Sequence, residues 1–258
     1  METLRGNLYD YPAYYDLVFG SDWKAEVAFL EACFKLHGRG RVRRLFEPAC
    51  GTGRLLYRLG AAGYETSGLD LNPHAVEYCN RRLARHGLAE SAFVGDMSDF
   101  RLPRKADAAF NTINSFRHLP TERAARTHLE CMAGALCRGG LYVLGLHLTP
   151  AGYGGDQESW SARRGHLQVN TYMQTAEYKP RRRQEAFTMS YDVYTPTRTF
   201  RLVDEVRFRT YTASQFVRLL AAVGKFEVAA TYDFAYDIEQ PITVDDATED
   251  VVYVLRRR

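Results

Sequence analysis

The segment Glu47-Pro-Ala-Cys-Gly51-Thr-Gly53-Arg54 lies between an apolar run, Val42–Ala49, and a helical pattern, Arg54–Ala62, closed by Gly63. Two glycines one residue apart let the backbone turn tightly and approach a ligand closely at the positive end of a helix. A strand delivered into such a turn belongs in a helix-covered, mostly parallel sheet, because only that layering buries both its faces. The turn is not a dinucleotide fingerprint, since the third glycine of G-x-G-x-x-G would fall on Leu56. It is not a phosphate-cradling P-loop either, since G-K-[ST] is missing.

The surrounding pattern extends this reading. Tyr64–Leu71 is a second strand, and Asn72-Pro73 supplies a cap and a first-turn proline to a helix that runs to Gly87. Ser91–Val94 and Asp107–Ile113 are strands, separated by a turn at Pro103; Thr121 opens a helix to Cys137, and Leu141–His147 is a fifth strand. Beyond Thr149-Pro150 a loop with Gly152, Gly154 and Gly155 precedes three alternating stretches, His166–Tyr178, Gln184–Tyr194 and Thr199–Tyr211. Period-two alternation predicts an antiparallel meander with one buried face. Thr212-Ala-Ser-Gln215 is a capping box before a helix that ends at Gly224, and Phe226–Phe234 with Val251–Leu255 close the chain as paired strands. The expected fold is α/β: a Rossmann-like, mostly parallel seven-stranded sheet with helices on both faces, plus a small antiparallel β insertion before the last helix. The expected division is an arm and helix over residues 1–40, an α/β core over 41–150, the insertion over 151–211, and the closing helix and strands over 212–258.

Composition excludes several function classes. With 34 basic against 31 acidic residues, the net charge of +3 is too small for a dedicated nucleic-acid binder. Five cysteines without a C-x-x-C pair provide neither a disulfide framework nor zinc spacing, and no metal site is expected. No apolar run is long enough to span a membrane and the first residues lack a signal-peptide pattern, so a cytoplasmic protein is expected.

Two further acidic positions stand in register with the glycine turn. Asp70 ends the second strand, where a carboxylate can accept both hydroxyls of a ribose, and Asp96-Met97 follows the third strand. Open α/β sheets bind ligands at these carboxyl ends.

Together, E-P-A-C-G-T-G-R, G-L-D-L-N-P, G-D-M and R-G-G-L-Y-V-L resemble a class I S-adenosylmethionine-dependent methyltransferase from about Tyr9 to the end. The resemblance implies S-adenosyl-L-methionine as cofactor. Glu47, Ala49, Gly51 and Gly53 would line its methionine moiety, with Cys50 a small residue in the same loop and Arg54 reaching the carboxylate. Asp70 and Leu71 would hold the ribose, Asp96 the adenine amino group and Met97 the ring. The aromatic segment Tyr9–Phe19 resembles an arm that covers the cofactor, with Tyr15, or failing it Tyr14, in contact.

Asn114-Ser-Phe-Arg-His118-Leu resembles the N-S-F-x-H-L of glycine N-methyltransferase and of amino-sugar N-methyltransferases. By that likeness Asn111–Ile113 would flank the sulfonium and Asn114 would face the substrate. His118 would act as general base or hold its loop through backbone hydrogen bonds. His147 falls near the place of a substrate-binding arginine in glycine N-methyltransferase, a departure that counts against a glycine-like substrate. The insertion would be a substrate lid walled by Tyr172, Tyr178, Phe187, Tyr191 and Tyr194, with Arg163, Arg164 or Arg207 meeting an anionic group. The implied activity is methylation of a small-molecule acceptor, on nitrogen rather than oxygen. The alternatives are an RNA or protein methyltransferase and a non-catalytic cofactor-binding subunit. The aromatic insertion also leaves room for a homodimer.

Overall fold

The computed structural model describes residues 1–21 and 23–258. In chain order its elements are β1 (Glu2–Arg5), α1 (Pro12–Phe19), α2 (Trp23–His37), β2 (Arg44–Pro48), α3 (Leu56–Ala61), β3 (Glu65–Asp70), α4 (Pro73–Arg85), β4 (Ala92–Val94), β5 (Ala106–Asn111), α5 (Glu122–Ala135) and β6 (Leu136–His147). There follow β7 (Gln157–Arg164), β8 (Leu167–Lys179), β9 (Gln184–Tyr194), β10 (Thr199–Arg209), α6 (Ala213–Val223), β11 (Phe226–Tyr232) and β12 (Asp250–Arg257).

The larger sheet has the order β11-β12-β6-β5-β2-β3-β4, and pairing is parallel from β6 through β5, β2 and β3 to β4. Only β12 and β11 run antiparallel to their neighbours, as the closing pair was expected to. The central strands β5 and β6 are mostly buried because both their faces are covered. On β6, Leu141 and Val143 point into the layer with α2, α3 and α4, whereas Tyr142 and Leu144 point into the layer with α5 and α6. Fully burying one such side chain contributes about 1.5–3 kcal/mol, so a one-residue slip in register would forfeit several of them.

The caps legible in the sequence form. Asn72 accepts from the backbone N–H groups of His74 and Ala75, and Thr212 exchanges hydrogen bonds with Gln215. Replacing Thr212 by Ala removes one of these and is expected to cost about 1 kcal/mol, read as a drop in thermal midpoint of about 2–4 °C.

The insertion is larger than the sequence pattern indicates. Its sheet has five strands, β1-β10-β9-β8-β7, instead of three. β7 escapes the pattern because only Trp160 and Ala162 among its residues pack on the inner face, the others being turned to solvent at an edge. β1 escapes it because four residues with one partly buried leucine, Leu4, carry no period, yet they pair in parallel with β10. The inner face of this sheet packs on the arm through Leu8, Leu17 and Val18. Among the described residues no helix is long and apolar enough to cross a membrane.

Candidate active site

The glycine turn leaves the carboxyl end of β2 through three left-handed residues, Ala49 (φ +53°), Gly51 (φ +52°) and Gly53 (φ +66°). Glycine is required at Gly53 for packing: a Cβ there would lie 2.3 Å from the Cys79 Sγ of α4. At Gly51 the added atom would meet the Tyr15 ring at 3.5 Å, on the open side of the turn. Ala49 holds its conformation against a cost of roughly 1–2 kcal/mol, and such strain concentrates at functional sites.

Asp70 closes the turn from β3. Its Oδ2 accepts from the Gly51 N–H at 2.8 Å and its Oδ1 from the Asn72 N–H at 2.9 Å. Burial pushes its carboxyl above the usual range, against the opposing effect of these amides.

Beside the turn opens a small cleft lined by Tyr15, Glu47, Ala49, Cys50, Arg54 and Asn111, with the chain at Thr112, Ile113 and Ser115 along its rim. Two acceptors in it are orphaned: Glu47 Oε2 and Asn111 Oδ1 are buried without a hydrogen-bond partner. Burial pushes the Glu47 carboxyl well up, only partly offset by the nearby Arg54. Arg54 is fixed by Glu26 of α2, with Nη1 and Nη2 donating to its two oxygens at 2.6 Å each. Glu26 Oε2 also accepts from Thr112 Oγ1 at 2.5 Å. Buried polar groups are normally paired, so two unpaired acceptors beside an oriented guanidinium form the complement of an amino-acid zwitterion: ammonium on one side, carboxylate on the other.

The arm contributes Tyr15 to the lining of this cleft. Burial pushes the Tyr15 hydroxyl up to about 12, so it stays protonated and can donate. Asp16 ties the arm to its surroundings: it accepts from Thr52 Oγ1 at 3.1 Å, from Arg82 at 2.6 Å and from Arg164 of the insertion at 3.0 Å.

The other expected site residues stand apart from the cleft lining. Leu71 is exposed just past Asp70. Asp96 accepts from the N–H and hydroxyl of Ser98, while the Met97 carbonyl accepts from His128 Nδ1. Asn114 adopts φ +51° and accepts from the His147 N–H at 3.1 Å, which fixes the loop after β5 against β6. His118 turns towards the arm, its Nε2 3.0 Å from the Tyr9 hydroxyl, and burial with the adjacent Arg117 pushes its pKa down to about 4. Its partner is therefore a side chain of the arm, where the two expectations were a general base or backbone hydrogen bonds within its loop. His147 Nδ1 lies 2.5 Å from Asp250 Oδ1.

The arginines of the insertion expected to meet an anionic group are already engaged. Arg164 pairs with Asp16, Arg207 with Glu205, and Arg163 donates to the Gly165 carbonyl. Of the expected aromatic wall, Phe187 and Tyr191 are buried on the inner face, but Tyr172 and Tyr194 are exposed.

No motif marked Glu26 or Asp250, whereas Tyr9 and Asp16 fall within the aromatic segment and Thr112 within the stretch expected beside the sulfonium, none of them singled out there. Only a buried acid in the apolar stretch of α2 hints at Glu26, and it reads equally well as a solvated face.

Residues 46–140 match the family model described as a methyltransferase domain. This segment is a methyltransferase domain. The chain is 29% identical over 138 residues to the dTDP-3-amino-3,4,6-trideoxy-alpha-D-glucopyranose N,N-dimethyltransferase of Streptomyces venezuelae, an alignment covering 52% of this chain and 56% of that protein. The chain thus spans about half the length of the curated relatives it matches. Among solved structures, an S-adenosylmethionine-dependent methyltransferase from Clostridium acetobutylicum superposes with a TM-score of 0.78 at 19% identity, covering 97% of this chain and 99% of the other. An amino pentose methyltransferase from Micromonospora echinaspora, solved with S-adenosylmethionine bound, gives 0.75 at 22% identity and 100% coverage of both chains. Both likenesses place the whole molecule, insertion included, in the methyltransferase fold. Within it, the glycine turn, Asp70 and the orphaned acceptors all belong to the methyltransferase domain.

Proposed function

We propose that this chain is an S-adenosylmethionine-dependent methyltransferase acting on a nitrogen of a small-molecule amine. One observation carries the cofactor: Glu47 Oε2 and Asn111 Oδ1, buried without partners, face the same cleft as the fixed Arg54. A methionine ammonium would satisfy the two acceptors and offset the burial that raises the Glu47 carboxyl. Arg54, with donors to spare beyond Glu26, would take the methionine carboxylate. Asp70 would accept the ribose hydroxyls with Leu71 alongside, Asp96 the adenine amino group with Met97 against the ring, and Tyr15 would cover Gly51. When bound, the cofactor supplies an electrophilic methyl group on a sulfonium. The residues around it need only align an acceptor and keep water out, and alignment alone can provide roughly 7–11 kcal/mol.

Relatives named for N,N-dimethylation of dTDP-linked amino sugars support a nitrogen acceptor. The arm, residues 1–40, is proposed as the cover over the cofactor, and the insertion, residues 151–211, as the acceptor lid. Asn114, pinned to His147, would hold the loop beside the reacting methyl.

Calorimetric titration with S-adenosylmethionine and S-adenosylhomocysteine is expected to give micromolar binding at one site. A panel of free amino sugars and their dTDP conjugates is expected to include one that is methylated on nitrogen. Absence of cofactor binding at millimolar concentration would sink the proposal; methylation confined to oxygen would overturn its nitrogen half.

A further inference from the structure

His147 ends β6 and Asp250 begins β12, facing each other in register at the carboxyl end of the parallel strands. An ionised carboxylate only accepts, so the 2.5 Å contact assigns the proton to Nδ1. Nε2 is left with its lone pair and has no hydrogen-bond partner among the described residues. Neither side chain is sealed away: their exposures are 37% and 43%. The ring is held by more than Asp250. Its backbone N–H donates to Asn114, one residue from Ile113 on the cleft rim, and Phe234 packs edge-on at 4.8 Å.

Partial burial raises the carboxyl of Glu158 on β7, Asp156, Asp250 and Glu249 raise it further, and His147 lowers it. These four carboxylates, from β7, the loop before it and the start of β12, share one electrostatic neighbourhood with the imidazole. Such a neighbourhood favours a cationic amine and disfavours an anion. His118, in contrast, is turned to Tyr9.

The geometry points to His147 as the base that removes the proton from the acceptor ammonium, with Asp250 as the positioning residue that fixes its tautomer. This rests on the nitrogen-methylation reading above. The N–H bond of the ammonium breaks, Nε2 takes the proton, and the nitrogen keeps its electron pair; the imidazolium then returns the proton to solvent through its exposed edge. A protonated amine has no lone pair to offer, and an alkylammonium like that of lysine holds its proton to about pH 10, so near neutrality a base is needed.

Two measurements test this on the full-length chain. The first needs no acceptor: acylation of His147 by diethyl pyrocarbonate, followed by peptide mass mapping, with exposed His74 and His166 as internal references. Asp250→Asn is expected to slow acylation at His147 at least fivefold relative to the references, and Asp250→Glu to restore at least half of it. An unchanged rate in Asp250→Asn would overturn the dyad whether or not any acceptor is known.

The second uses the amine of the panel that is methylated best. His147→Ala should lower kcat about 100-fold at pH 7, within the range for a general base, with S-adenosylmethionine affinity unchanged. The deficit should shrink towards pH 10, where about half of such an acceptor is already neutral. Asp250→Asn should lower kcat more than tenfold with the acceptor KM within threefold. A deficit that stays constant across pH, or an undiminished kcat in His147→Ala, would overturn the assignment. If no amine turns over, the functional reading fails while the acylation result still decides the dyad.

Discussion

Replacing Glu26 by Ala is expected to lower the thermal midpoint by roughly 10 °C, at about 2–4 °C per kcal/mol for a chain of this size. The guanidinium of Arg54 and the carboxylate of Glu26 are both nearly sealed, with side-chain exposures of 9% and 4%. Burial alone would lower the pKa of Arg54, but the two hydrogen bonds and the charge of Glu26 reverse this and hold it above its usual value. Removing one partner of such a pair leaves the other charge buried and uncompensated, which costs about 3–5 kcal/mol. Thr112 loses an acceptor at the same time, so the loop bordering the cleft is loosened too. Glu26→Gln keeps the shape and one acceptor and should lose less. Differential scanning calorimetry decides it: a midpoint within 2 °C of wild type for Glu26→Ala would mean that the pair does not fix Arg54.

Asp70→Ala should weaken S-adenosylmethionine binding about 100-fold, on the basis of about 3 kcal/mol for hydrogen bonds to a charged acceptor. The loss has two sources. The variant cannot receive the ribose hydroxyls, and it also releases the Gly51 and Asn72 amides that Asp70 now holds from opposite sides. The turn would then have to be ordered by the cofactor itself. Because burial raises the Asp70 carboxyl, wild-type affinity should fall on acidification, beginning at a higher pH than an exposed aspartate would give. The sign is fixed: binding uses the carboxylate, so affinity is present above the raised pKa and lost as pH drops through it. Asp70→Asn should abolish that part of the pH dependence. Isothermal titration at several pH values tests both, and equal affinity for wild type and Asp70→Ala would remove Asp70 from the site.

The seven core strands, their helices and the caps at Asn72 and Thr212 were readable because each repeats a local rule: period, punctuation or capping geometry. β1 and β7 were not, because an edge strand with one or two inward residues has no period to detect. The cleft shows the same split. Glu47, Arg54 and Asp70 are adjacent to a glycine turn whose spacing marks them. Glu26 and Asp250 reach the site from positions 28 residues before Arg54 and 103 residues after His147, and nothing local distinguishes them from solvated acids. Arg164 looked free in the sequence, yet it is committed to Asp16, 148 positions away.

The first strand has a consequence for biogenesis. Glu2 sits opposite Phe200, and at about 5–20 residues per second a ribosome needs roughly ten to forty seconds to deliver that partner. Until then the leading segment has no edge to dock on, although the glycine turn and Asp70 have long since emerged. If the arm is the cover proposed above, a nascent chain displays the glycine turn without it, and translation products that stop short of residue 199 should leave β1 without its partner strand.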